Sequence, residues 1–153
     1  VAPELFVPEG ALGRHRPSER DQADIAHALK LIGALGPFDV GQAAVVADSH
    51  VIAVEAAEGT DHMLARIIEL RGLGRVTSPS GVGVLVKAPK PGQDRRLDLP
   101  SIGPRTIELV AKAGLAGLAV TAGSTMIAEA ERTISAADRA KVFVIGVREA
   151  LAA

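Results

Sequence analysis

The feature that most restricts the fold is an alternation of two hydrophobic periods in the second half of the chain. Short aliphatic runs, Val82 to Val86, Leu118 to Val120 and Val142 to Val147, alternate with helix-like segments at Thr106 to Ala113 and roughly Glu129 to Ala140. Short, almost wholly apolar runs suit strands buried on both faces. Strands separated by helices specify an α/β domain, with a mixed, mostly parallel sheet flanked by helices. At 153 residues the chain can bury one real core. That core must be aliphatic, because only three Phe and no Tyr or Trp are present.

The first half reads less regularly. Residues 1–17 carry scattered prolines and glycines and are expected to form an irregular arm or interdomain linker, with the domain running from 18 to 153. The chain opens VAPELFVPEG, without an initiator Met, and reads as the C-terminal part of a longer protein. Ser18 is placed to cap a helix, with Asp21 in the capping-box position. Ile25, Ala28, Leu29, Ile32 and Leu35 follow at helical spacing, and Gly36-Pro37 stops the helix. Ala43 to Ala47 and Val51 to Ala56 are β-branched runs around Asp48-Ser49-His50, the pattern of a hairpin or of two neighbouring strands. Gly59-Thr60-Asp61 opens a helix striped by Met63, Leu64, Ile67 and Ile68 and ended by Gly72 and Gly74. Pro104 suits the first turn of the helix that runs to Lys112, closed by Gly114.

Several functions are excluded or disfavoured. A net charge of -1 lacks the footprint of a nucleic-acid binder, and the missing aromatics remove stacking platforms. No run of 18 apolar residues and no signal-peptide pattern occurs, so a cytoplasmic location is the expectation. Without cysteine there is no disulfide framework and no thiolate metal site. His15, His27, His50 and His62 have no metal-ligand spacing and are expected at the surface, and no Walker A, G-x-G-x-x-G or G-x-S-x-G string appears.

The segment from Lys87 to Thr106 stands apart. It holds four of the nine prolines and seven of the 35 Lys, Arg, Asp and Glu residues. A connector of this length in a compact domain is usually functional or disordered, and its interleaved Leu97, Leu99 and Ile102 argue for an ordered loop. If the loop is extended, Asp94 and Asp98 lie about 13 Å apart, too far to share an ion. If it bends, both can reach a hard cation. Mg²⁺ commonly uses one or two carboxylates with phosphate oxygens and water. Lys87, Lys90, Arg95, Arg96 and Arg105 would supply charge for phosphate. A solvated loop making weak surface ion pairs explains the same residues.

Ligands of open α/β sheets bind beyond the carboxyl ends of strands. Three polar clusters fall there: Glu55, Glu58, Thr60 and Asp61; the central loop; and the Ala122-Gly123-Ser124-Thr125 turn. Thr60 at a helix start fits either an anion site or an ordinary N-cap. Glu55 and Glu58 fit either a site or a solvated strand end.

The strings GRHRPSERDQADIA, LGPFDVGQAAVVADSHVIAVEAAEGTD, VLVKAPKPGQDRRLDLPSIGPRTIE and AGLAGLAVTAG resemble the C-terminal domain of the LpxI-type UDP-2,3-diacylglucosamine pyrophosphatases. The most specific pieces are Glu55 to Asp61 and Lys90 to Pro100. The resemblance implies Mg²⁺-dependent hydrolysis of UDP-2,3-diacylglucosamine to UMP and 2,3-diacylglucosamine 1-phosphate (lipid X), in the cytoplasmic part of lipid A biosynthesis. It implies an N-terminal domain pairing with this one around the substrate. It allows peripheral contact with the inner face of the inner membrane, and a homo-oligomer. Asp94 and Asp98 become candidates for metal binding and for activating the attacking water, with Asp61 a further metal ligand. Lys87, Lys90, Gln93 and Arg96 become candidates for diphosphate and sugar contacts, and Glu58 and Thr60 for substrate. Two other readings stand beside this one: a non-catalytic module for nucleotide sugars or lipids, and a structural domain with a charged loop.

Overall fold

A computed structural model describes residues 6–89 and 99–148 of the chain. In chain order its elements are β1 (Gly10–Leu12), α1 (Glu19–Leu35), a 3-10 turn (Gly36–Phe38), β2 (Ala43–Ala47), β3 (His50–Val54) and α2 (Thr60–Gly72). There follow β4 (Val84–Lys87), β5 (Ser101–Ile102), α3 (Pro104–Lys112), β6 (Gly117–Thr121), β7 (Met126–Ile127), α4 (Ala130–Ala140) and β8 (Phe143–Val147).

The expected mixed α/β sheet is present, in the order β1-β8-β6-β4-β2-β3. Its centre is parallel, with β6 between β4 and β8. Antiparallel strands extend it on both sides: β2 on β4, β3 on β2, and β1 on β8. Within the arm, Gly10–Leu12 pairs with Gly146, Ile145 and Val144, while Val7 is fully buried. A strand of three residues among prolines has no period to read, so only tertiary pairing reveals it. β4 begins at Val84 rather than Val82. Gly83 sits at φ +116, outside strand geometry, with Ala47 and Leu115 3.0 Å from where a Cβ would stand.

The two faces of the sheet are covered unequally. Alternate residues of the central strands point to opposite sides. Val45, Leu85, Leu118, Val120 and Val144 pack with Met63, Leu64 and Ile67 of α2, Ile107 and Val110 of α3, and Ala137 of α4. Ala44, Val46, Val84, Val86, Ala119 and Phe143 pack with Ile25, Ala28 and Ile32 of α1. One helix thus covers one face and three cover the other. Each fully buried aliphatic side chain contributes about 1.5–3 kcal/mol, and small alanines on the α1 side let that helix lie close.

Ser18 and Asp21 form the capping box expected of them. Ser18 Oγ accepts the Asp21 N–H at 3.1 Å, and Asp21 Oδ2 accepts the Ser18 N–H at 2.9 Å. The β2–β3 connection is a hairpin whose turn residues Asp48 and Ser49 have φ of 50 and 70, the twist that suits a two-residue turn. Asp24, buried on α1, accepts both turn N–H groups at 2.9 and 2.8 Å. That link stabilises a conformation costly for non-glycine residues. Because β3 runs antiparallel to β2, and β2 antiparallel to β4, the carboxyl ends of β3, β4, β6 and β8 all meet at one edge.

Candidate functional site

Glu55 directly follows β3 at that edge and turns inward, at 8% exposure. Its Oε1 accepts the Gln42 N–H at 2.8 Å, and its Oε2 accepts the Thr60 hydroxyl. Gly41 backs this arrangement: its N–H donates to the Glu55 carbonyl at 3.0 Å. A Cβ on Gly41 would run into that carbonyl and stand 2.6 Å from Glu55 Oε1. The reading of Glu55 as part of a solvated strand end is therefore set aside.

Thr60 is not the cap of its helix. Gly59 is, at φ +84, and it carries no capping side chain. With the Thr60 hydroxyl directed to Glu55, the first turn of α2 keeps the N–H groups that every helix start exposes. The start of α3 has the same make-up: Gly103 is the cap, Pro104 follows, and Thr106 Oγ1 accepts the Gly103 N–H at 3.3 Å.

The two helix starts face one groove of about 570 Å³, lined by Glu58–His62, Lys87, Ser101–Thr106 and Ala128. Lys87, at the end of β4, donates from Nζ to the Ser101 carbonyl at 3.0 Å. Across the groove, Arg105 Nε of α3 pairs with Asp61 Oδ2 of α2 at 3.3 Å. Arg105 is matched by Asp61 and Glu58 by Arg66, so the two helix starts and Lys87 are the groove's elements that suit an anion. A smaller depression of about 370 Å³ lies at the opposite edge, between His15, Arg16, Ser80, Lys141 and Phe143. It contains none of the candidate catalytic, substrate or metal residues named from the sequence.

Glu58 holds the rim. Oε1 accepts the Ala56 N–H and Oε2 pairs with Arg66 Nη2, both at 2.8 Å. Its carboxyl is lowered from the ordinary 4.5, chiefly by the Ala56 N–H, then by its own N–H, with Arg66 adding to them against partial desolvation. A lowered folded value means this carboxylate stabilises fully above about pH 4.5 and loses that contribution as acid protonates it in the fold. Glu58→Gln mimics the protonated form. The urea midpoints of wild type and variant should thus differ at pH 7 and converge as pH falls below 4.5. A gap that persists at the most acidic pH would count against this role.

Of the residues predicted from the sequence, Glu58, Thr60, Asp61 and Lys87 are brought to the one groove. Lys90, Gln93, Asp94, Arg96 and Asp98 lie outside the described residues. Among the described residues no group of three or more His, Asp or Glu side chains is placed to hold a metal. Sequence reasoning missed the α3 start as the second wall of this groove. The Gly103-Pro104 pair ahead of a helix was the available signal.

The family model for the LpxI C-terminal domain matches residues 8–145. The chain belongs to this LpxI family. It is 46% identical over 147 residues to the UDP-2,3-diacylglucosamine pyrophosphatase LpxI of Caulobacter vibrioides. That match covers 96% of this chain and 52% of the relative, so the chain spans about half the length of the curated relative it matches. Of the two specific strings of this LpxI domain, Glu55 to Asp61 leads onto the α2 side of the groove, which Glu58 to Asp61 line, and the second ends at Pro100, directly before β5. Among the described residues no helix is long and apolar enough to cross a membrane.

Proposed function

We propose that this LpxI domain supplies the diphosphate-binding part of a site that hydrolyses UDP-2,3-diacylglucosamine to UMP and lipid X, with Mg²⁺. The observation that carries the reading is the groove itself, in which two glycine-capped helix starts converge with Lys87 and Arg105. Membership of a family in which a relative is a UDP-2,3-diacylglucosamine pyrophosphatase supports a diphosphate of that kind as the anion.

In this reading the α2 and α3 N–H groups and Lys87 bind the non-bridging oxygens of the diphosphate, and Arg105 takes charge as it develops. Glu55 keeps Thr60 in place, so that the helix start does not turn away from the ligand. A water oxygen forms a bond to phosphorus as its proton passes to a carboxylate, Asp94 or Asp98 in this reading, and the bridging P–O bond breaks, the leaving phosphate carrying away the electron pair. Preorganised donors are worth most for that charge because they need no rearrangement as it develops.

The donor set fits magnesium in its usual manner, as few protein carboxylates completed by phosphate oxygens and water. Asp61 is the half-exposed carboxylate in the groove, and binding an ion would exchange its Arg105 contact for the metal. Asp94 and Asp98 are the further carboxylates proposed from the resemblance. The ion would supply neutralisation of diphosphate charge.

The test is UMP release from UDP-2,3-diacylglucosamine, with Mg²⁺ or with EDTA. It compares the 153-residue chain with a full-length version that carries the family's N-terminal domain. UMP release by the full-length protein, abolished by EDTA, is the expected result. Binding without release would favour a non-catalytic module. Neither binding nor release would end the reading.

A further inference from the structure

The turn after β6 was noticed in the sequence and has no part in the groove as described above. Thr121 and Thr125 are fully buried and Ser124 is 8% exposed. Among the described residues the hydroxyl oxygens of all three have no hydrogen-bond partner. The backbone around them is well satisfied: Ala122 N–H donates to the Val147 carbonyl, Gly123 N–H to the Val7 carbonyl, and Val7 N–H to the Thr125 carbonyl, each at 2.8 Å. Other buried threonines are bonded, Thr133 Oγ1 to the Ala128 carbonyl at 2.7 Å and Thr106 Oγ1 to the Gly103 N–H. Buried polar groups in native proteins almost always have partners. Three hydroxyls within five residues with no partner among the described residues leave room for one beyond them, a water or a ligand oxygen.

Their place in the fold says which kind. Val120, just before Thr121, lies in register beside Lys87 on β4. Met126 and Ile127, just after Thr125, pair with Ser101 and Ile102. Lys87, Ser101 and Ile102 all line the groove. The hydroxyl cluster thus spans the strand end between two of the groove's walls.

We propose that Thr121, Ser124 and Thr125 form an inner subsite of this groove that takes the oxygens of a phosphoryl group, the hydroxyls donating to it. The proposal rests on the diphosphate reading above and extends it to residues with no role there. Such bonds gain strength where water is excluded. The three oxygens are closed off in the described state. Val7, bonded to the turn on both sides, forms one wall, so uptake requires that wall to shift.

Thr→Val keeps the shape and removes the hydroxyl. If the hydroxyls have no partner within the fold, their loss is neutral or stabilising. The experiment is a thermal shift and calorimetric titration of the 153-residue chain with inorganic pyrophosphate, for wild type, Thr121→Val and Thr125→Val, with Ser124→Ala as a third variant. The expected result is a Tm unchanged or raised without ligand, together with a loss of pyrophosphate affinity of about tenfold or more. A lowered Tm would place the hydroxyls in bonds within the fold and overturn the proposal. Wild-type affinity in the Val variants, or no pyrophosphate binding by wild type, would overturn it as well. UMP release by the full-length protein is scored separately. Intact release with unaltered pyrophosphate binding in the variants would remove the subsite alone. Absent release with the affinity loss present would remove the proposed reaction and leave the subsite standing.

Discussion

Glu55→Ala is expected to lower folding stability by about 2–3 kcal/mol and to take ligand binding in the groove down with it. The substitution removes the acceptor of both the Gln42 N–H and the Thr60 hydroxyl. Stripping the partner from a buried donor costs about 1–3 kcal/mol, more when the partner is charged. A cavity is left under Gly41 as well, where the chain passes too close for any side chain to fill it. Glu55→Gln should cost less than half as much. Its amide oxygen can still accept from Gln42, while its NH₂ group now meets Thr60, whose hydroxyl must accept instead of donate. Urea unfolding of the three proteins gives the stability order, and titration with pyrophosphate gives the functional one. If the Ala variant unfolds at the wild-type urea concentration, Glu55 is not what fixes the start of α2.

Much of this architecture is legible in the sequence because it depends on local rules. The capping box at Ser18 and Asp21, the stop at Gly36-Pro37, and the hairpin at Asp48-Ser49 are each decided within a few residues of chain. The parallel centre follows from aliphatic runs separated by helices. What could not be read depends on distant partners. β1 becomes a strand only by pairing with β8, more than a hundred residues later. Asp24 reads as one more polar helix residue until the hairpin turn donates to it. The site shows the same division. Strand ends pointed to Thr60, Asp61 and Lys87, but a glutamate at the end of an aliphatic run carries no mark of burial. Nor does a Ser-Thr turn show that its hydroxyls lack partners. Both are properties of packing, which no local pattern encodes.

The second large effect concerns turnover alone. In a full-length protein, Asp94→Ala is expected to reduce kcat for UMP release by about 10²–10⁴-fold, the range for removing a group that positions or activates a nucleophile, while KM changes little. Asp94 lies outside the described residues, and its role is proposed from the K-P-x-Q-D-x-R-x-D-x-P string at Lys90 to Pro100. The direction of the split follows from which groups hold the substrate. In the proposed site the helix starts, Lys87 and Arg105 bind the diphosphate and are untouched by this change, so substrate binding at saturating Mg²⁺ should hold, whereas loss of a group that activates the water lowers kcat. Arg105→Ala supplies the opposite signature. Arg105 lines the groove at the start of α3; in the proposed reading it meets a diphosphate that is negative in both bound substrate and transition state, so its loss should raise KM as well as lower kcat. Steady-state kinetics on the two variants therefore separates catalysis from binding. If Asp94→Ala turns over at the wild-type rate, Asp94 leaves the mechanism. If it instead loses affinity in step with Arg105→Ala, the loop contributes binding rather than chemistry, as a non-catalytic module would.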